Sequence, residues 1–230
     1  MDEKNQKLGY KSMTECVMDY LKQRLLDGEI CPGEEINLTT LSETLGVSRT
    51  PVREALIQLM KDGFIEGATR KGFRIKQADR REIRDLYEIG GLLESEIVKA
   101  ACDAMTGEQI EQLEAIQRKI EDALERSDAK AYLDYNAEFN ALLWGFCPNR
   151  VLNEFSSKIR ERLYFARKRL GYPEWNRMLV SDHREIIGLL RTKDMEALVR
   201  LLREKHWSFD RNYPFIRQFY KFPEEGEKSG

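Results

Sequence analysis

The sequence predicts a mainly α-helical protein, in which short helices and a small β-hairpin precede an antiparallel α-helical bundle. Up to about residue 78, glycine and proline divide the chain into short segments. After it, apolar residues recur at helical spacing over long stretches, and strand-like alternation is almost absent. We therefore predict two domains, residues 1–77 and 78–222, followed by a disordered tail at 223–230.

The composition of the 230-residue chain excludes several classes of protein. Hydrophobic residues make up 41% and charged residues 34%, which is too apolar for a disordered chain and too charged for a membrane protein. No apolar run reaches the roughly 18 residues of a membrane span, and no secretion signal is visible, so we expect a cytoplasmic protein. The 38 basic and 40 acidic residues nearly cancel, so an anionic partner must be met by a local patch. The four cysteines form no C-x-x-C pair and are expected to be buried thiols.

The first domain begins with an amphipathic helix predicted over residues 12–26. A short helix over 39–45 follows, in which Thr40 and Glu43 match a capping box and Gly46 is a helix-ending glycine. The apolar stripe of the first helix consists of Met13, Val17, Tyr20, Leu21 and Leu25.

A second helix begins near Ser48 or Thr50, each able to cap it. Pro51 falls in its first turn, where a missing N–H costs little. Residues 64–68 and 73–76 then predict two short strands of a hairpin. The inner face of the helix consists of Val52, Ala55, Leu56, Leu59 and Met60.

Two helices joined by a tight turn, with basic and hydroxyl residues opening the second, are typical of a helix-turn-helix. Its second helix enters the major groove of DNA with its N-terminus first. Arg49 and Arg53 are spaced i, i+4 and share one face, and an arginine fork pairs with guanine O6 and N7. Ser48 and Thr50 are short enough to reach phosphate.

The tip of the hairpin is basic. Arg70, Lys71, Arg74 and Lys76 lie in a segment without acidic residues, which suits a wing along the DNA backbone or minor groove. The domain as a whole carries 12 basic and 12 acidic residues, so charge alone equally fits an ordinary solvated face. The conjunction of helix, helix-turn-helix and basic hairpin favours DNA binding.

Four segments strengthen this interpretation: LLDGEICPGEEI (25–36), LSETLGVSRTPVREAL (41–56), LMKDGFIE (59–66) and RKGFRI (70–75). Together they closely resemble the winged-helix domain of the GntR family of bacterial transcription regulators. The resemblance implies a winged helix-turn-helix and a homodimer that binds double-stranded operator DNA of near-palindromic sequence. It implies DNA contacts from Thr39, Arg49, Thr50 and Arg53, and from the wing residues Thr69, Arg70, Lys71 and Gly72.

The sequence of the second domain predicts six helices. Their start signals are Asp79, Thr106 with Gln109, Asp128, Asn149, Pro173 and Asp194. Apolar stripes that indicate an antiparallel bundle are Leu86, Ile89, Leu93, Ile97, Ala101 and Ile186, Leu189, Leu190. Aromatic residues in 132–146 and 207–220 are expected to pack between helices or at a dimer interface. Pro214 is expected to kink or break the last helix.

Three further segments carry a second resemblance: DLYEIGGLLESEIVKAA (85–101), NAEFNALL (136–143) and HREIIGLLRTKDMEAL (183–198). They resemble the all-helical effector domain, of FCD type, of the FadR-like branch of the GntR regulators. The resemblance implies that in many relatives this bundle holds a divalent metal through Asp or Asn, a His four residues later and two further His. That metal then receives a carboxylate effector.

The present sequence departs from this ligand pattern. The i, i+4 pair is Asn136 and Asn140, and an amide oxygen is a poor substitute for imidazole on a transition metal. His183 matches a ligand position, but Lys205 falls at the last one, with His206 one residue later, about 100° further around a helix.

A second departure concerns charge. Gly90 stands where relatives usually carry an arginine able to clamp a carboxylate. The sequence thus predicts neither a metal nor a cofactor, and it predicts an effector pocket for a small polar uncharged or largely apolar molecule of unknown identity. The predicted pocket residues are Asn136, Asn140, His183 and His206.

These observations predict a ligand-responsive transcription regulator and not an enzyme. Two alternatives stay open. One is a constitutive DNA-binding dimer with a vestigial pocket. The other is a metal-dependent enzyme, although the chain has only two histidines and no nucleophile elbow, phosphate loop or glycine fingerprint.

Overall fold

The computed structural model describes residues 11–26, 29–68, 72–164, 173–220 and 222. Backbone contacts divide the chain into two compact units, with the division between Gln77 and Ala78. The wing-tip residues Thr69, Arg70 and Lys71 and the predicted tail at 223–230 lie outside the described residues. Within the described ranges, no helix combines the length and the apolar character that a membrane span requires.

The first unit is built from helices and a small antiparallel sheet. The elements are α1 (Met13–Leu26), β1 (Glu35–Ile36), α2 (Leu38–Leu45), α3 (Arg49–Lys61), β2 (Ile65–Ala68) and β3 (Gly72–Ile75). The strand order is β1-β3-β2, so the predicted hairpin gains a third strand. Periodicity did not predict β1 because two residues are too few to show alternation. The predicted winged helix-turn-helix is confirmed.

The short helix α2 is capped at both ends. The Oδ1 atom of Asn37 accepts hydrogen bonds from the N–H groups of Thr39 at 2.9 Å and Thr40 at 3.0 Å. The predicted cap at Thr40 is therefore wrong, because Thr40 already lies inside the first turn and Asn37 supplies the oxygen that the free N–H groups need. Gly46 ends α2 with φ of 65°, a left-handed conformation that glycine adopts at little cost.

Side chains from α1, α3 and the strands form the apolar core of the first unit. The buried residues are Val17, Leu21, Leu25, Val52, Ala55, Leu56, Leu59, Phe64, Ile65 and Ile75. Met13 and Met60 belong to the predicted stripes but are 53% and 39% exposed. Both lie in a terminal turn of their helix, where a stripe residue can extend past the packed neighbours.

The second unit is a helical bundle, as predicted. Its elements are α4 (Arg80–Ala104), α5 (Gly107–Glu125), α6 (Ala129–Trp144), α7 (Arg150–Tyr164), α8 (Pro173–Thr192), α9 (Met195–Arg200), a π-helical turn (Leu201–His206) and α10 (Phe209–Phe219). Every predicted start signal lies at the beginning of a helix. The last helix was predicted as one piece with its break at Pro214. It instead restarts after Ser208, whose Oγ accepts from the N–H of Arg211, and α10 runs through Pro214.

The inward face of α4 differs from the predicted stripe. Ile89 is 45% exposed, and Leu93 is only half-buried. Gly90, Gly91 and Glu94 lie on the buried face instead, because the ring of Trp207 packs against the two glycines.

The C-terminal aromatic residues pack between helices of this same unit. Trp207 and Phe209 are buried, and Tyr213, Phe215, Tyr220 and Phe222 pack against the same cluster. Cys102 and Cys147 are buried as predicted. Cys16 and Cys31 are exposed, because Cys16 lies beside the buried stripe of α1 and Cys31 lies in the turn before β1.

Candidate functional site

The N-terminal end of α3 presents polar side chains to solvent. Ser48 is the residue that precedes the helix, Arg49 and Thr50 are its first two residues, and Arg53 follows one turn later. All four are exposed, while Val52 of the same turn is buried. The positive end of the helix dipole lies here and favours a negatively charged partner. This is the arrangement of a recognition helix.

The other predicted DNA contacts lie on α2 and at the hairpin. Thr39 is half-buried in the first turn of α2. Gly72 opens β3, is exposed and has φ of 93°. Arg74 Nη2 pairs with Glu35 Oε1 at 2.8 Å across the β1–β3 ladder, so one charge of the predicted basic wing is compensated.

The second unit contains a partly open cavity of about 40 Å³, which has room for a few water-sized groups. Asn136, His183 and His206 line it. Asn140 is not among its lining residues, and its Nδ2 atom donates to the backbone carbonyl of Asn136 at 2.9 Å. The structure thus brings three of the four predicted pocket residues together and leaves Asn140 out.

His206 reaches the cavity because it is the last residue of the π-helical turn. A π turn holds one residue more than an α turn, which offsets the rotation of about 100° that one residue adds to a helix. Lys205 instead pairs with Glu185, and its Nζ atom lies 3.5 Å from Asp182. The sequence had left open whether Lys205 or His206 faces the pocket, and the structure assigns His206.

His183 is buried and uncharged. Its ring stacks on Phe139, with centroids 4.4 Å apart, and its Nδ1 atom has no hydrogen-bond partner among the described residues. Burial, reinforced by repulsion from His206 and Arg160, lowers the pKa of His183 to about 3. A neutral imidazole offers one donor and one acceptor to a ligand.

A buried ion pair borders the same cavity. Arg160 lines it and pairs through Nη2 with Oε2 of Glu94, and the two side chains are 9% and 3% exposed. Trp207 Nε1 donates to the same oxygen at 2.6 Å. The guanidinium lies 4.8 Å from the ring centroid of Trp144 and 5.2 Å from that of Trp207, which are cation–π distances.

The glycine at position 90 makes room for this arrangement. A Cβ atom there would lie 2.2 Å from the ring of Trp207. The space beside α4 is therefore filled by an indole ring, and the buried arginine comes from α7.

A second buried carboxylate orients His206. Asp182 is fully buried and accepts from Arg211 at 2.6 and 2.9 Å, and His206 Nδ1 lies 3.2 Å away. Burial disfavours the charged carboxyl, but the hydrogen bonds from His206 and Arg211 outweigh it and lower the pKa of Asp182 to about 2. Asp182 is therefore ionised and holds the His206 ring in place.

The residues present do not fit the divalent metal that the FCD resemblance implies. Two imidazoles and the amide of Asn136 line the cavity, whereas Asp182 is held by Arg211. Structural metal sites usually need four ligands of stronger donor character. Among the described residues, no three His, Cys, Asp or Glu side chains form a group that could hold a metal ion.

Comparison with known protein families agrees with both units. Residues 13–75 match the family described as "Bacterial regulatory proteins, gntR family", and residues 85–206 match the FCD domain. The chain belongs to the GntR family.

Relatives of this GntR-family chain are transcription regulators. It is 33% identical over 189 residues to the "Nta operon transcriptional regulator" of Aminobacter aminovorans, covering 81% of this chain and 88% of that protein. It is 31% identical over 183 residues to the "Uncharacterized HTH-type transcriptional regulator YdhC" of Bacillus subtilis (strain 168), covering 77% and 80%. The solved structure of E. coli McbR/YncC is 25% identical, covers 92% of this chain and 100% of that one, and has a TM-score of 0.70. The prediction of a transcription regulator and not an enzyme is confirmed by this family membership.

Sequence reasoning missed the charged groups at the cavity of this GntR-family regulator. Glu94 follows Gly90 by one helical turn and lies on the apolar face of α4. An acidic residue among the apolar positions of a helix predicts a buried carboxylate. Nothing in the sequence pairs it with Arg160, which lies 66 residues away. The roles of the predicted contact residues stay predictions.

Proposed function

We propose that this GntR-family regulator binds a near-palindromic operator as a homodimer and senses a small uncharged molecule in the cavity of its helical unit. The exposed N-terminal end of α3 carries the DNA-binding part of the proposal. Its two arginines stand four residues apart on one face, and each guanidinium can pair with O6 and N7 of a guanine. Family membership and the regulator relatives support it further.

Each residue of the predicted interface has a proposed role at the DNA. Arg49 and Arg53 read guanine edges in the major groove, and Ser48 and Thr50 contact phosphate. Thr39, in the first turn of α2, contacts the DNA backbone. The wing from Thr69 through Arg70 and Lys71 to Gly72 follows the adjacent backbone or minor groove.

Recognition of a near-palindrome needs two recognition helices related by a two-fold axis, which a homodimer supplies. The dimer is proposed to adopt two geometries, one that fits the operator and one that does not. A ligand in the helical unit regulates operator binding if it binds one of these geometries more tightly than the other. The neutral ring of His183, the amide of Asn136 and the oriented ring of His206 supply hydrogen bonds for such a ligand.

The DNA-binding proposal is tested by selecting duplexes from a random pool with the full-length protein. We expect the recovered sequences to share two half-sites related by dyad symmetry. Against a selected duplex, Arg49→Ala and Arg53→Ala should each weaken binding by about 10-fold or more in a fluorescence anisotropy titration at fixed salt. Lys61→Ala, an exposed change at the other end of α3, is the matched control and should leave affinity nearly unchanged. Undiminished binding by both arginine variants would contradict the assigned face.

The small volume of the cavity, about 40 Å³, favours a second candidate, the constitutive dimer with a vestigial pocket. Thermal unfolding in the presence of small neutral metabolites separates the two. An effector at 100 times its dissociation constant should add about 2.7 kcal/mol to the free energy of unfolding. If no compound raises the midpoint, the constitutive dimer is the better description.

A further inference from the structure

Two buried carboxylates pair with two arginines beside the predicted pocket residues. Glu94 pairs with Arg160 at the cavity wall, and Asp182 pairs with Arg211 behind His206. His183 adds no charge, because burial keeps its ring neutral. Of the described residues, the two arginines beside the predicted pocket, Arg160 and Arg211, are thus each paired with a carboxylate of the chain itself.

The Glu94 carboxylate is held in place by more than Arg160. Trp207 Nε1 donates to the same oxygen, and the Trp207 ring rests against Gly90, where any larger residue would collide with it. Gly90 and Glu94 of α4, together with the Trp207 ring that packs against them, therefore build this counter-charge into the fold.

We propose that the carboxylate of Glu94 is an internal counter-ion for Arg160 and restricts the cavity to uncharged ligands. This proposal deepens the effector-binding part of the proposed function and rests on it. An anionic ligand entering the cavity loses its hydration and meets an arginine whose charge is already compensated, so it gains little in return. A neutral ligand loses less hydration and finds the free nitrogen of His183.

The proposal implies a latent anion site beneath Glu94. Glu94→Ala removes the carboxylate and leaves a space of its shape beside the buried guanidinium of Arg160. A small carboxylate such as formate fits that space and replaces the missing charge. Wild-type protein lacks the space, because its own side chain fills it.

The experiment compares thermal unfolding of full-length wild type, Glu94→Ala and Glu94→Gln in sodium formate and in sodium chloride of equal ionic strength. We expect formate to raise the midpoint of Glu94→Ala above its value in chloride and to have no such effect on the wild type. At about 100 times its dissociation constant, formate should increase the folding equilibrium constant of the variant about 100-fold. Glu94→Gln, which keeps the side-chain volume, should respond less than Glu94→Ala. Glu88→Ala, an exposed acid on the same helix, is the matched control and should behave as the wild type.

Two results would overturn the proposal. One is a formate-specific rise in the wild type equal to that of Glu94→Ala. The other is a folded Glu94→Ala protein with the same midpoint in formate and in chloride. If Glu94→Ala does not fold in chloride, refolding is scored in formate: recovery of the folded protein supports the proposal, and no recovery counts against it.

The test is independent of DNA binding. Failure of the proposed regulatory function would appear as operator binding that no neutral ligand alters, and the formate response would be unaffected. Failure of the counter-ion proposal would remove the formate response and leave operator binding intact.

Discussion

A Cβ atom at position 90 would lie 2.2 Å from the ring of Trp207, a separation that real Cβ atoms do not adopt. The ring has little freedom to move, because its Nε1 is bonded to Glu94 and its face lies against Arg160. A single methyl group at this position must therefore disturb the tryptophan, the carboxylate and the arginine together.

We expect Gly90→Ala to lower the free energy of unfolding by about 1–3 kcal/mol, the usual effect of overpacking a filled core. Gly188→Ala in α8 is the matched control, since nothing lies within 4 Å of the added carbon. That change should stabilise the protein by about 0.5–1 kcal/mol, because alanine loses less backbone entropy in a helix. Urea unfolding of both variants, followed by circular dichroism, measures the difference, and equal effects would contradict the close approach.

The sequence predicts the roles of some residues and not of others. Gly90 was recognised as a departure from the family, but only as the loss of an arginine. The space that Gly90 leaves is needed for the ring of Trp207, which comes from the far end of the unit. Helical periodicity carries no information about which helices pack against each other. For the same reason Arg160 was not predicted as a cavity residue.

At the scale of elements, the local signals were accurate where one chemical rule decides. Asp79, Asp128 and Asp194 each accept a hydrogen bond from an N–H of the helix they precede, as an N-terminal cap should. The π-helical turn follows no such rule. Sequence counting assumes 3.6 residues per turn, and so could not decide between Lys205 and His206.

We expect deletion of Glu204 from the π turn to be tolerated. Glu204 is exposed, and removing one residue converts the turn to a regular α-helix without moving the elements on either side. Deletion of Gly188, which is equally exposed but lies in the regular helix α8, should be far more damaging, because every later residue of that helix rotates by about 100°.

Thermal unfolding midpoints and operator affinity of the two deletion proteins provide the measurement. A Glu204 deletion that unfolds as easily as the Gly188 deletion would show that the π turn is not a separable extra residue.

At the scale of the whole molecule, the fold class and its two-part organisation were predictable because the two parts differ in glycine and proline content and in apolar period. The charged groups around the cavity were not predictable, because burial of Glu94 and Asp182 depends on partners from other helices. The effector chemistry therefore had to be inferred from residues that the sequence pattern treats as ordinary helix surface.

The proposed recognition of a near-palindrome requires two chains. We expect the full-length protein to sediment at twice its chain mass of 27.0 kDa and to bind a selected duplex as two chains per duplex. Sedimentation equilibrium with and without the duplex measures both quantities. A single-chain mass at concentrations that saturate the duplex would contradict the dimer.

All three tryptophans of the chain, Trp144, Trp175 and Trp207, belong to the second unit. Two of them flank the guanidinium of Arg160, so their fluorescence is sensitive to the charge and polarity of the cavity wall. The first unit has no tryptophan. Binding of the first unit to a duplex therefore changes the tryptophan fluorescence only if its effect reaches the second unit. The unmodified protein is therefore its own optical reporter of communication between operator and bundle.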